Sequence, residues 1–222
     1  MVTSTSPLNK THTIYKLKSG QRVPSCTTIL GILDKPALKR WYYECGLKGI
    51  DPDKQRDQAA GIGTLAHYMV ECDIKGAKAD PEYLAAFSPA DMSKAENSFL
   101  AYLDWRKSSK ADLQWSEAVM VSEAYGFGGT VDCIGMIGGE RYLVDWKTSS
   151  GIYSDYTIQV AAYEYLWEEC HPDQLIDGVI ICRLGKDDGA FEVKSISSDT
   201  RAKAWELFVN LLRVYELKKE IK

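Results

Sequence analysis

Gly128-Gly129-Thr130-Val131-Asp132, followed after a short interval by Tyr142-Leu143-Val144-Asp145-Trp146-Lys147-Thr148, reads GGTVD…YLVDWKT. Both runs are apolar or β-branched and read as strands, and Gly138-Gly139 between them supplies a tight hairpin. A half-buried strand alternates apolar and polar positions without gathering charge at its end. Here Asp132 interrupts the first run, and Asp145 shares one face of the second with Lys147. The hairpin folds Asp132 onto the strand beside Asp145, so two carboxylates and one ammonium converge. Close carboxylates raise each other's pKa unless a cation intervenes, and a divalent ion makes the pair favourable. Oxygen ligands with positions left for water suit Mg²⁺ or Mn²⁺. A lysine beside them orients a water or stabilises a developing oxyanion. The plain alternative is a strand-end salt bridge.

An acidic residue two positions before a lysine is a weak signal, and this chain has five such pairs. Asp73/Lys75, Glu216/Lys218 and Glu220/Lys222 fall in helical patterns, where residues two apart do not face each other. Glu192/Lys194 sits on a strand, but Asp187 and Asp188 belong to the turn feeding it, so no preceding strand sets them opposite Glu192. That pair reads as a solvated edge strand. Asp145/Lys147 alone has a carboxylate on the adjoining strand.

The 222 residues, 45% of them hydrophobic, suffice for one well-packed α/β domain. The opening MVTSTSPLNKTHT lacks a basic region leading into an apolar stretch, and no run reaches the length of a membrane span, so the chain reads as soluble and non-secreted. Its six cysteines are scattered without a C-x-x-C pair and read as small buried hydrophobes in a reducing cytoplasm. A formal net charge of −4 does not advertise nucleic acid, so any DNA binding requires a local basic groove or metal ions.

Turn residues divide the chain. His12–Leu17 and Arg22–Val23 form a short hairpin, and a helical region opens at Thr27, breaks at Asp34-Lys35-Pro36 and resumes to Cys45. Helices are expected over Asp57–Lys75 and Glu82–Lys107, then strands over Leu113–Val121, Gly128–Ile137 and Arg141–Lys147. A helix over Tyr156–Cys170, strands at Val179–Leu184 and Phe191–Ile196 and a final amphipathic helix over Thr200–Lys219 complete the pattern.

Gly129-Thr130-Val131-Asp132, Asp145-Trp146-Lys147 and Gln159-Val160-Ala161-Ala162-Tyr163 together resemble the PD-(D/E)XK nuclease superfamily, in its RecB-like and phage-exonuclease branch. Gly61-Ile62-Gly63-Thr64-Leu65-Ala66-His67 is similar to that branch's glycine-led helical motif ending in a metal-proximal histidine, and Pro24–Leu30 is similar to the openings of phage members. The resemblance implies a restriction-endonuclease-like α/β fold. A mixed central sheet is flanked by helices in a single nuclease domain over 1–222, with a mainly helical lobe at 1–110 and the core at 111–222. It implies metal held by His67, Asp132, Asp145 and the Trp146 carbonyl, with Lys147, Gln159 and Tyr163 completing the catalytic set. The implied ion is Mg²⁺ or Mn²⁺, and no iron–sulfur cluster is expected because the cysteine pattern of cluster-bearing members is absent.

Each of these residues also has a plainer reading. His67 is either a metal contact or a histidine packed on its helix, and Gln159 and Tyr163 either steady Lys147 or are polar residues at the core's edge. Glu117 is either a further metal-side carboxylate or a solvated strand residue, and Glu71 reads as a helix-surface partner. Lys35, Lys39 and Arg40, with Trp41 and Tyr42, either track a DNA backbone or form a solvated amphipathic helix. The expected activity is metal-dependent DNA hydrolysis, exonucleolytic in preference to a structure-specific or restriction-type endonuclease or a non-cutting DNA-binding subunit. Without a P-loop, unwinding falls to a separate helicase, recombination or single-strand-binding protein, in the cytoplasm of a bacterial or phage-infected cell.

Overall fold

A computed structural model describes residues 13–221. His12 of the expected hairpin, the stretch before it and Lys222 lie outside them. The chain opens with a two-stranded antiparallel hairpin, β1 (Tyr15–Lys16) and β2 (Arg22–Val23). Helices α1 (Cys26–Leu30), α2 (Pro36–Leu47), α3 (Pro52–Ile74), α4 (Pro81–Ala85) and α5 (Pro89–Ser109) follow. Next come strands β3 (Asp112–Ser122), β4 (Phe127–Ile137) and β5 (Glu140–Lys147), helix α6 (Ser154–Cys170), strands β6 (Gly178–Leu184) and β7 (Phe191–Ile196), and helix α7 (Ser198–Glu220).

Prolines and short polar side chains set the helix starts. Asp51 accepts from the N–H groups of Asp53 and Lys54 ahead of α3, and Ser88 accepts from Asp91 ahead of α5. The single helix expected over Glu82–Lys107 is two. Pro81 and Pro89 each occupy a first helical turn, where a missing N–H is harmless, and Pro89 turns the preceding residue away from helical geometry. α3 likewise begins at Pro52, a turn earlier than its apolar periodicity indicates.

The five-stranded sheet runs in the order β3-β4-β5-β6-β7. Only β5 and β6 are parallel, joined through α6, and every other neighbouring pair is antiparallel. The sheet is therefore mixed and carries helices on both faces. One face packs Val131, Leu143, Val179 and Ile181 beneath α1, α6 and α7, while the other packs Cys133, Val144, Trp146 and Cys182 against Tyr102 and Trp105 of α5. β7 is an edge strand whose residues are exposed up to Ile196, and Glu192 reaches Arg183 at 3.4 Å, as a solvated edge requires. Cys26, Cys45, Cys133 and Cys182 are buried, whereas Cys170 is exposed. Among the described residues, no helix is long and apolar enough to cross a membrane.

The α6/α7 layer contains a titrating carboxyl, Glu164. Arg201 Nε lies 2.9 Å from Glu164 Oε1, yet burial raises the Glu164 carboxyl to about 7 against the opposing pull of Arg201. A pKa raised on folding means that the folded state holds this proton more tightly. Its stabilising contribution is complete below the unfolded pKa and disappears as pH rises through about 7. Melting temperature should therefore fall with rising pH across this window, and Glu164→Gln should flatten that slope in thermal scans at matched ionic strength.

Candidate active site

The antiparallel ladder between β4 and β5 ends, on the side away from the hairpin, at Cys133 paired with Val144. Continuing the register would set Asp132 opposite Asp145, but the strands part there instead. Asp132 Oδ2 accepts the Trp146 N–H at 2.9 Å, so a side chain replaces the backbone partner that β5 has lost. The two carboxylates thus flank the opening of a gap between strands.

A second irregularity faces the first. In the β3–β4 ladder Ser116 pairs with Cys133 and Ala118 with Val131, and the intervening Glu117/Asp132 pair is missing. Glu117 has φ +54°, a left-handed conformation for a non-glycine residue in the middle of a strand. Across Asp132, side-chain alternation slips. Val131 and Ile134, three apart, both pack beneath α6 and α7, while Cys133 packs on the other face. Such a local break re-aims the side chains on either side of it.

Helix α3 supplies the third group. His67 Nδ1 lies 3.8 Å from Asp132 Oδ2, and one ligand atom from each of His67, Glu117 and Asp132 falls within 4.8 Å of the others. This is one imidazole with two carboxylates, a donor set that suits a hard or borderline divalent ion. Asp145 is 1% exposed, Lys147 Nζ is its ion-pair partner at 2.7 Å from Oδ2, and among the described residues neither oxygen has another polar partner. Burial raises its pKa to about 6, opposed by Lys147 and reinforced by Asp132. A buried carboxylate short of hydrogen bonds beside an imidazole–carboxylate cluster is what a bound cation would satisfy, and the residues fit a metal.

Lys147 is fixed from several sides. Besides Asp145, it donates to Gln159 Oε1 at 3.1 Å, and its ammonium sits 4.8 Å from the centre of the Tyr156 ring. Gln159 in turn donates to the Tyr163 hydroxyl at 2.8 Å. Tyr156, Gln159 and Tyr163 recur at three- and four-residue intervals on α6 and share one face. Burial works against the Lys147 charge, but Asp145 and Asp132 outweigh it and hold its pKa above the ordinary lysine value. The side chain is therefore an ammonium at neutral pH.

The glycines flanking these groups make room. A Cβ on Gly129 would lie 2.6 Å from the Tyr163 ring, one on Gly128 would collide with the Tyr15 ring, and one on Gly63 would lie 2.8 Å from Thr148 Oγ1. Close approach of Tyr15 and Tyr163 is the reason for Gly128 and Gly129. Gly63 lets α3 come against the end of β5, which brings His67 to Asp132.

The sequence-predicted residues are distributed as follows. His67 and Asp132 share the cluster, Asp145, Lys147, Gln159 and Tyr163 form the connected chain beside it, and Trp146 contributes only backbone. The Trp146 indole is buried on the other face, edge-on to Tyr102 and Trp105. Glu117 joins the cluster, and Glu71 pairs with Lys75 on the surface of α3. Lys35 is held by Asp155 at 2.9 Å, Lys39 by Asp34, Arg40 by Glu44 at 2.9 Å, and Tyr42 donates to Asp53 at 2.9 Å. Tyr156 escaped the sequence reading, although its position one turn before Gln159 was available to find it.

No family model and no curated protein sequence matches the chain. It is similar to an inferred exonuclease from Eubacterium rectale, at 15% identity over 71% of this chain and 67% of that one, with a TM-score of 0.48. It is also similar to LHK-Exo, solved in complex with dAMP, at 16% identity over 70% of this chain and 88% of that one, with a TM-score of 0.39.

Left-handed geometry costs an L-residue with a Cβ about 1–2 kcal/mol, part of which glycine gives back as lost chain entropy. Glu117→Gly should therefore unfold about 1 kcal/mol less readily than Glu117→Gln. Both variants lack the charge, so paired denaturant titrations isolate the backbone. Equal stabilities would remove strain from the account of this position.

Proposed function

We propose that this chain is a metal-dependent deoxyribonuclease of the PD-(D/E)XK type, a single nuclease domain over 1–222 that hydrolyses DNA phosphodiester bonds, exonucleolytically in preference. The observation that carries the proposal is the meeting of His67, Glu117 and Asp132 beside a buried Asp145–Lys147 pair at the point where β4 and β5 part. His67, Glu117, Asp132 and Asp145 would hold Mg²⁺ or Mn²⁺, assisted by the Trp146 carbonyl, which in an extended strand leaves by the same edge as the Trp146 N–H bonded to Asp132. Such an ion supplies a Lewis acid for a phosphoryl oxygen and makes water more acidic.

The remaining roles belong to the chain. Lys147, held between Asp145 and Gln159, is placed to orient the attacking water or to offset negative charge as it grows on the phosphate oxygens. Tyr156 and Gln159 hold that charge in one orientation, and Tyr163 holds Gln159. Asp132 has two tasks: it faces the metal cluster and ties the end of β5 through Trp146. A module that only bound DNA would gain nothing from carboxylates that repel phosphate. We place the activity in recombination or repair in a bacterial or phage-infected cytoplasm, with unwinding left to a partner helicase.

Lys147→Ala and Asp145→Asn should each lower kcat by at least about 100-fold while DNA binding persists, because the lost charge acts mainly in the transition state. With Mg²⁺, end-labelled linear DNA should be degraded and covalently closed circles should survive. Rapid linearisation of circles would favour an endonuclease, and more than about a tenth of wild-type turnover in both variants would place the chemistry elsewhere.

His67→Ala should raise the Mg²⁺ or Mn²⁺ concentration for half-maximal activity about 10-fold or more, with excess Mn²⁺ recovering part of the loss. A lower melting temperature with unchanged metal curves would instead make His67 a packing residue.

A further inference from the structure

Next to the proposed catalytic residues, but outside them, lies a cavity of about 490 Å³. Its wall comes from Leu38 and Trp41 of α2, Arg56 and Ala59 of α3, Thr148–Ser150 after β5, Arg183 at the end of β6 and Gly185 to Asp188 in the following turn. The volume falls in the range of small-molecule sites. Three cations, Arg56, Arg183 and Lys186, face two carboxylates, Asp187 and Asp188. Both carboxylates are already engaged, Asp187 by Lys94 at 2.6 Å and Asp188 by the Ala190 N–H at 3.0 Å.

Two of the cations are short of partners. Lys186 gives one hydrogen bond, to the Ala59 carbonyl at 3.2 Å, and makes no ion pair among the described residues. Arg183 pairs with Glu192, Nε to Oε2 at 3.4 Å, but among the described residues its buried Nε makes no hydrogen bond. Burial accordingly lowers the Lys186 pKa, ahead of the opposing effect of Asp187. Two half-buried cations, one without an ion pair among the described residues and the other with a buried N–H left over from its pair, suit an anionic ligand. Trp41 adds an aromatic surface, and the hydroxyls of Thr148, Ser149 and Ser150 add polar groups in the three residues that follow Lys147. Charge for a phosphate, an aromatic ring for a base and continuity with Lys147 occur together.

We propose that this cavity is a nucleotide subsite that receives the phosphate-bearing unit of a single DNA strand adjoining the bond cleaved, Lys186 and Arg183 taking the phosphate and Trp41 the base. Its place on a DNA strand rests on the nuclease reading; its ligand chemistry, a nucleoside monophosphate, does not. Stacking on the aromatic ring tolerates any base, so the subsite selects an unpaired strand with little sequence preference.

The test uses the full chain in EDTA, with deoxyadenosine monophosphate, inorganic phosphate and deoxyadenosine as separate probes in calorimetric titrations. The monophosphate should bind more tightly than either fragment. Lys186→Ala should weaken the monophosphate and phosphate about 10-fold, and Trp41→Ala should weaken the monophosphate while leaving phosphate unchanged. Melting curves confirm that each variant is folded, and Lys147→Ala reports on the catalytic cluster. Absence of binding at about 1 mM monophosphate, binding indifferent to Lys186 and Trp41, or binding lost with Lys147 overturns the subsite. On DNA, Lys186→Ala should raise KM more than it lowers kcat. A chain that binds the monophosphate through Lys186 and Trp41 but cuts no DNA would overturn the nuclease reading and keep the nucleotide site. Cutting with both variants indistinguishable from wild type would do the reverse.

Discussion

A carboxylate removed from water must be compensated, and much of this structure is arranged around one that is. Asp145 is nine-tenths and more buried, and among the described residues its close partner is the Lys147 ammonium two residues along the same strand face. The pair is possible because β4 leaves β5 just before it. Were the ladder continuous, the space beside Asp145 would be filled by backbone. With the strands parted, Asp132 caps the freed Trp146 N–H and turns its remaining capacity toward His67 and Glu117. Such an arrangement costs stability taken by itself, since burial and like charge both push Asp145 toward protonation. That cost has a use only if something positively charged joins the site.

The surrounding fold keeps this arrangement from relaxing. Tyr163 is packed against the Gly129 backbone so closely that a methyl group would not fit, and through Gln159 it sets the direction of Lys147. Trp146, between Asp145 and Lys147 in sequence, anchors the same strand on the opposite face against Tyr102 and Trp105. Core packing on one side and a hydrogen-bonded chain on the other leave the end of β5 little freedom. Gly63 then admits α3 to within contact of Thr148, which is how a histidine from the helical half reaches the sheet.

The broad outline was legible because it follows from local rules. Alternation, glycine turns and helical periodicity mark the sheet strands and most helices, and the Gly138-Gly139 hairpin makes neighbours of the strands bearing Asp132 and Asp145. Where the outline missed, a stronger local rule had intervened: Pro89 divides a helix that its apolar spacing alone would continue. The basic residues of α2 show the other kind of gap. In sequence Lys35, Lys39 and Arg40 are three positive charges close together, whereas in the fold each has an acidic partner, and of the expected DNA-tracking group only Trp41 lines the cavity. Asp155 is 120 positions from Lys35, so no window of sequence contains that pair.

By itself the sequence determined which residue types could meet: two carboxylates and a lysine on adjoining strands, and a glutamine and tyrosine on one helical face. Periodicity settles these because a strand repeats every two residues and a helix every three or four. Only the tertiary structure decided that Glu117 belongs with them. Its place depends on a left-handed residue within β3 and a missing ladder pair opposite Asp132, neither of which composition or spacing encodes. Likewise the cavity beside Thr148 exists only where α2, α3 and the turn after β6 come together. Long-range packing sets the distances between side chains, and the chemistry of charges depends on those distances and on how far water has been excluded.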